Sequence, residues 1–111
     1  MTTDRELLEL AAKASGLPVE FDCEINGWFA HGRDKDGDVD RWWNPLTDDG
    51  DALRLAVKLG IALDKAVGRC WTFSAGMAIE GVCEEFYKDD PYAATRRAIV
   101  RAAAELGKAM P

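Results

Sequence analysis

The sequence predicts an α+β fold in which an antiparallel sheet of about four to five strands is sandwiched by helices, in the order α-β-β-(β)-α-β-β-α. Three observations carry that expectation. Segments with capping residues and apolar positions at helical spacing open, bisect and close the chain. After the first of them comes a strict apolar–polar alternation, the period-two pattern of a strand with one buried face. Glycine-containing turn signals, Asn26-Gly27 and Asp36-Gly37, then fold the chain back on itself.

The elements follow in order. Thr3 with Glu6 makes a capping box, and Leu7, Leu10, Ala11 and Ala14 recur on one helical face until Gly16 and Pro18 stop the helix. Val19, Phe21, Cys23 and Ile25 alternate with Glu20, Asp22, Glu24 and Asn26, which reads as a strand. The Asn26-Gly27 pair suits a two-residue type I′ turn, so Trp28 to Gly32 is the return strand. A second turn around Asp36-Gly37 leads into Val39 to Trp43. Thr47 or Asp48 caps a helix from about Asp49 to Leu59. Apolar residues cover most of its circumference, so it is expected to be the most buried helix, with Gly60 as its stop. Two strands, roughly Cys70 to Ala75 and Met77 to Tyr87, follow, with Gly76 as their turn and Gly81 as a bulge. Asp90-Pro91 opens the last helix, whose Arg96, Arg97 and Arg101 are expected to face solvent.

A chain of 111 residues has room for one core, and residues 1–111 are read as a single domain with no internal linker. No apolar run approaches the ~18 residues that span a bilayer, and the N-terminus lacks a signal-peptide pattern, so a cytoplasmic protein is expected. Cys23, Cys70 and Cys83 are odd in number and far apart. Neither a disulfide framework nor a zinc ribbon is indicated, and buried, reduced thiols are the reading. The net charge of −6 is uneven: residues 22–51 hold nine acids against three bases, whereas residues 91–111 hold four bases against Glu105. Phosphate backbones need basic surfaces, so direct nucleic-acid binding is disfavoured everywhere except the last helix.

The run from Trp43-Asn44-Pro45-Leu46-Thr47-Asp48-Asp49-Gly50 through Leu59 resembles the signature of the phage ABA sandwich domain. The segment from Ala94 to Gly107 is similar to that family's closing helix, and Leu7 to Gly16 fits its opening. The resemblance implies a small phage or prophage protein with a helix–sheet–helix sandwich, and it brings no activity and no catalytic motif. Residues 19–41 are less family-like than their surroundings, which makes them the place to look for anything specific to this chain.

Several constellations invite chemistry. Asp34, Asp36, Asp38 and Asp40 suggest Ca²⁺ if they lie in a loop, but an EF-hand needs Gly sixth and Glu twelfth, and here Gly37 is fourth and Pro45 twelfth. In a strand the same acids form one solvated face. Asp48, Asp49 and Asp51 offer a carboxylate cluster, which helix capping also explains. His31 is the only histidine, so a multi-histidine metal site is excluded, and nucleotide-binding and nucleophile-elbow motifs are absent. No cofactor and no enzymatic activity are implied.

The four tryptophans are the better clue. Adjacent residues of a strand point to opposite faces, so in a two-layer arrangement either Trp42 or Trp43 is exposed. An exposed Trp beside acids and Arg41 resembles the centre of a protein interface. The sequence therefore points to a non-enzymatic, protein-binding accessory protein whose partner surface comprises Asp34, Asp36, Asp38, Asp40, Arg41, Trp42 and Trp43. The partner is an unidentified host or phage protein, or a second copy in a homodimer. The alternative is an acidic decoy of nucleic acid that occupies a host DNA- or RNA-binding surface.

Overall fold

The computed structural model describes residues 3–24, 27–34, 37–74 and 83–111, with residues 31–34, 37–40, 66, 73 and 74 described through their backbone. The elements are α1 (Asp4–Ser15), β1 (Val19–Asp22), β2 (Gly27–Asp34), β3 (Gly37–Trp43), α2 (Asp49–Leu59), β4 (Ile61–Ala66), β5 (Arg69–Ser74), β6 (Cys83–Phe86) and α3 (Pro91–Ala109). The fold is α+β. Instead of one sheet of four or five strands, the described residues form two antiparallel three-stranded sheets, ordered β1-β2-β3 and β4-β5-β6.

The helix ends obey local chemistry. Thr3 accepts from the Glu6 N–H at 3.1 Å, Asp48 from Asp51 N–H at 2.8 Å, and Asp90 from Tyr92 and Ala93 N–H. Each oxygen satisfies a first-turn donor that has no partner within its own helix. Gly16 and Gly60 close α1 and α2 with φ of 72° and 65°, left-handed values that glycine adopts without strain.

The strands depart from expectation in three places. First, β1 ends at Asp22, whose carboxylate accepts from Glu24 N–H at 2.9 Å and turns the chain early. Gly27 is therefore already in β2, opposite Asp22, and not a turn residue. Ile25 and Asn26 lie outside the described residues. Second, β2 runs on to Asp34, which pairs with Gly37, and residues 35 and 36 of the expected turn lie outside the described residues. Third, β4 follows Gly60 directly and pairs with β5 from Ile61↔Ser74 to Ala66↔Arg69. Its sequence hides it: Ile61 is buried, but Leu63, Asp64 and Lys65 are all exposed, which breaks the alternation. The expected Gly76 turn, the Gly81 bulge and the 77–82 part of the predicted last strand lie outside the described residues.

The most buried helix is α3, not α2. Ala98, Ile99, Val100, Ala102, Ala103, Ala104, Leu106 and Gly107 are all buried, because α3 packs against α1, α2, β5 and β6. On α2 only Asp51, Ala52 and Leu55 are buried, and Leu53 and Val57 are 64% and 74% exposed. Apolar content around a helix thus misjudged its burial, since α2 is covered on one side.

The α1–α3 contact is close. A Cβ built on Gly107 would overlap the Leu10 carbonyl and stand 3.2 Å from Leu10 Cα. Deeper in, Thr72 of β5 is fully buried and its hydroxyl donates to the Ala98 carbonyl at 2.7 Å, fastening the second sheet to α3. The arginines of α3 do not simply face solvent. Arg96, 15% exposed, donates to the Leu46 carbonyl and to Asp49. Arg97 reaches Asp4 and Glu85, and Arg101 reaches Glu85 and the Glu84 carbonyl.

Asp51 joins the first sheet to α2. It is 4% exposed. One oxygen accepts from Arg54 at 2.8 Å with Arg41 of β3 at 3.6 Å, and the other accepts from Asn44 N–H at 3.0 Å.

Two stability measurements check this packing by urea unfolding. Gly→Ala in a helix interior ordinarily stabilises by up to about 1 kcal/mol, yet Gly107→Ala is expected to destabilise by about 1–3 kcal/mol because it forces the helices apart. Asp51→Ala is expected to cost about 2–3 kcal/mol, below the fully buried case because both guanidiniums reach solvent.

Candidate functional site

The first sheet has two unlike faces. Trp28 pairs with Trp43 and Phe21 with Trp28; Trp28, Ala30 and Trp43 belong to the core, with Phe21 packed against it. The Phe21 and Trp28 rings meet edge-to-face at 5.2 Å, and the Arg5 guanidinium caps Phe21 at 3.8 Å from its centroid. One residue along, Glu20, Phe29 and Trp42 are aligned across the three strands on the opposite face.

There Trp42 is 50% exposed, while Trp43 is 3% exposed. The Trp42 ring meets Phe29 edge-to-face at 5.2 Å, and a Cβ on Gly27 would lie 3.7 Å from it, an ordinary contact. Around this pair opens a cleft of about 540 Å³, lined by Phe21, Phe29 and Trp42 and by Glu20, Asp22, Cys23 and Glu24. The described lining thus sets aromatic side chains beside carboxylates.

The predicted partner surface is only partly assembled here. Trp42 stands in the cleft. Trp43 is core. Arg41 is exposed but turned to Asp51 on the core side. Asp34, Asp38 and Asp40 occupy register positions opposite Gly37, Arg33 and His31 in the hairpin, and Asp36 lies outside the described residues. Sequence reasoning missed Glu20, Asp22 and Glu24 as site residues. The alternation over 19–26 was the signal that could have found Glu20 and Asp22, because it set them on the polar face of the strand, whereas Glu24 lies beyond the end of β1.

Other candidates are dispersed. Asp48 caps α2, Asp49 pairs with Arg96 and Asp51 is sequestered by Arg54 and Asn44, so the three carboxylates diverge. No group of three or more acid, Cys or His side chains converges as a metal site among the described residues. Cys23 is exposed, contrary to expectation, because the chain turns at Asp22 before the cysteine can enter the strand. Cys70 and Cys83 are buried, and burial pushes the Cys83 thiol above its ordinary pKa despite Arg101, which disfavours the thiolate needed for attack. Among the described residues no helix is long and apolar enough to cross a membrane. No protein-family model matches the chain, and neither does any curated protein or solved structure.

The two adjacent tryptophans should separate cleanly in unfolding experiments. Trp43→Ala is expected to cost about 3–5 kcal/mol, as for a large core side chain. Trp42→Ala is expected to cost about 1 kcal/mol, the worth of one aromatic edge contact.

Proposed function

We propose that this chain is a non-enzymatic protein-binding module, a phage- or prophage-encoded accessory protein working in the host cytoplasm. Its contact surface is the outer face of the first sheet. The observation that carries this reading is Trp42: a large aromatic, half in solvent, meeting Phe29 edge-to-face in the wall of an acid-lined cleft. A residue so placed is already ordered before binding, so a partner gains its burial at little further entropic cost. Glu20, Asp22 and Glu24 favour lysine- or arginine-bearing surfaces and repel acidic ones. The α3 arginines, engaged by Asp4, Asp49 and Glu85, offer little of the basic face that nucleic acid would need.

The test is affinity capture from bacterial lysate followed by binding measurement on the captured protein. Native chain is compared with Trp42→Ala and with a Glu20→Gln, Asp22→Asn, Glu24→Gln triple variant. Trp42→Ala is expected to weaken binding by about 30-fold, the effect of an interface hot spot. Binding unaffected by Trp42→Ala rules out this surface. If that binding is also abolished by the triple variant and by about 1 M salt, where screening acts within ~3 Å, the acidic decoy of nucleic acid becomes the better account.

A further inference from the structure

On the opposite face of β3 from that cleft lies a separate cavity of about 180 Å³ between β3, the end of α1 and α2. Its apolar wall is Leu17, Trp43 and Leu55. Its polar wall is Asp51 with three cationic side chains, Arg41, Arg54 and Lys58. The two walls differ in depth. Trp43, Leu55 and Asp51 are buried, whereas the three cations reach solvent. Ser15 completes the lining, but its hydroxyl is engaged by the Ala12 carbonyl and the Leu17 N–H.

The charges do not balance. Arg54 and Arg41 both approach the same Asp51 oxygen, at 2.8 and 3.6 Å, and Asp48 stands 3.7 Å from Arg54. Lys58 has no ion pair or hydrogen bond among the described residues beyond the backbone of its helix. Among the described residues, three cations against two carboxylates leave one positive charge in excess, in a chain whose net charge is −6. At about 30 Å³ per molecule, the cavity has room for about six waters, or for a small organic acid.

We propose that this cavity binds a small monocarboxylate with an apolar body. The carboxylate sits between Lys58 and Arg41, and the apolar part rests against Leu17, Leu55 and the Trp43 ring. The monoanion neutralises the excess charge while its body covers the apolar wall. This site is independent of the Trp42 cleft and stands or falls without it.

The experiment is an NMR titration of the ¹⁵N-labelled full chain with benzoate, following the Trp43 indole N–H and the Arg41 and Arg54 Nε–H signals. Saturable shifts with a Kd on the order of 1 mM are expected, the range open to so small a ligand. Benzamide, of the same shape without the charge, is expected to bind at least about tenfold more weakly. Lys58→Met is expected to weaken benzoate about tenfold with the melting temperature unchanged, and Lys58→Arg to retain it. Three results would overturn the proposal: shifts that stay linear to about tenfold above that concentration, benzamide binding as well as benzoate, or native affinity in a folded Lys58→Met.

Discussion

The carboxylate of Asp51 accepts from the Asn44 N–H at the exit of β3 and from Arg54 one helical turn along α2, while Arg41 of β3 approaches the same oxygen that Arg54 holds. It does this almost wholly out of water, where a lone charge would be strongly disfavoured. Its partners must therefore stay in place for the chain to remain folded here, and those partners belong to different elements. The loop from Asn44 to Asp48 is short and internally tied, with Leu46 N–H donating to the Asn44 side chain and Thr47 and Asp48 N–H to its carbonyl. So the position of α2 relative to the first sheet follows from one acid and one loop.

Around this junction α3 acts as the common surface. Its small residues allow α1 to approach until Gly107 meets the Leu10 carbonyl, and Thr72 fastens the second sheet to it. Its arginines reach α1 through Asp4, α2 through Asp49 and β6 through Glu85. Partly exposed ion pairs contribute little each. Their larger consequence is electrostatic, because the basic segment of the sequence is drawn inward against acids and does not become a basic face.

The split between Trp42 and Trp43 is where fold and function meet. Adjacent positions in β3 send one indole into the core and the other over Phe29 on the outer face. A one-residue slip of β3 would exchange them, and a slip of β1 would exchange Phe21 with Glu20 and Asp22. The core side of the sheet enforces the register, and the outer face inherits its aromatic centre and acidic rim as a result.

The α+β class, the helices α1 to α3, their N-capping residues and the glycine stops of α1 and α2 were legible in the sequence, because caps and periodicity act within a few residues. So was the antiparallel pairing of β1 to β3, and the expectation that in a two-layer arrangement one of Trp42 and Trp43 is exposed. What the tertiary structure decided was long-range. It made β4 a strand by pairing it with β5 although its side chains do not alternate in burial, and it divided the strands into two sheets. It left Leu53 and Val57 of α2 in water while burying the alanine-rich face of α3, because burial depends on which neighbours arrive and not on how apolar a segment is. It also turned Asp51 from one helix-cap acid among three into the charge that joins β3 to α2. Local sequence carries the preferences of single elements; which face is covered, and which charge is sealed away from water, is settled only when distant elements pack.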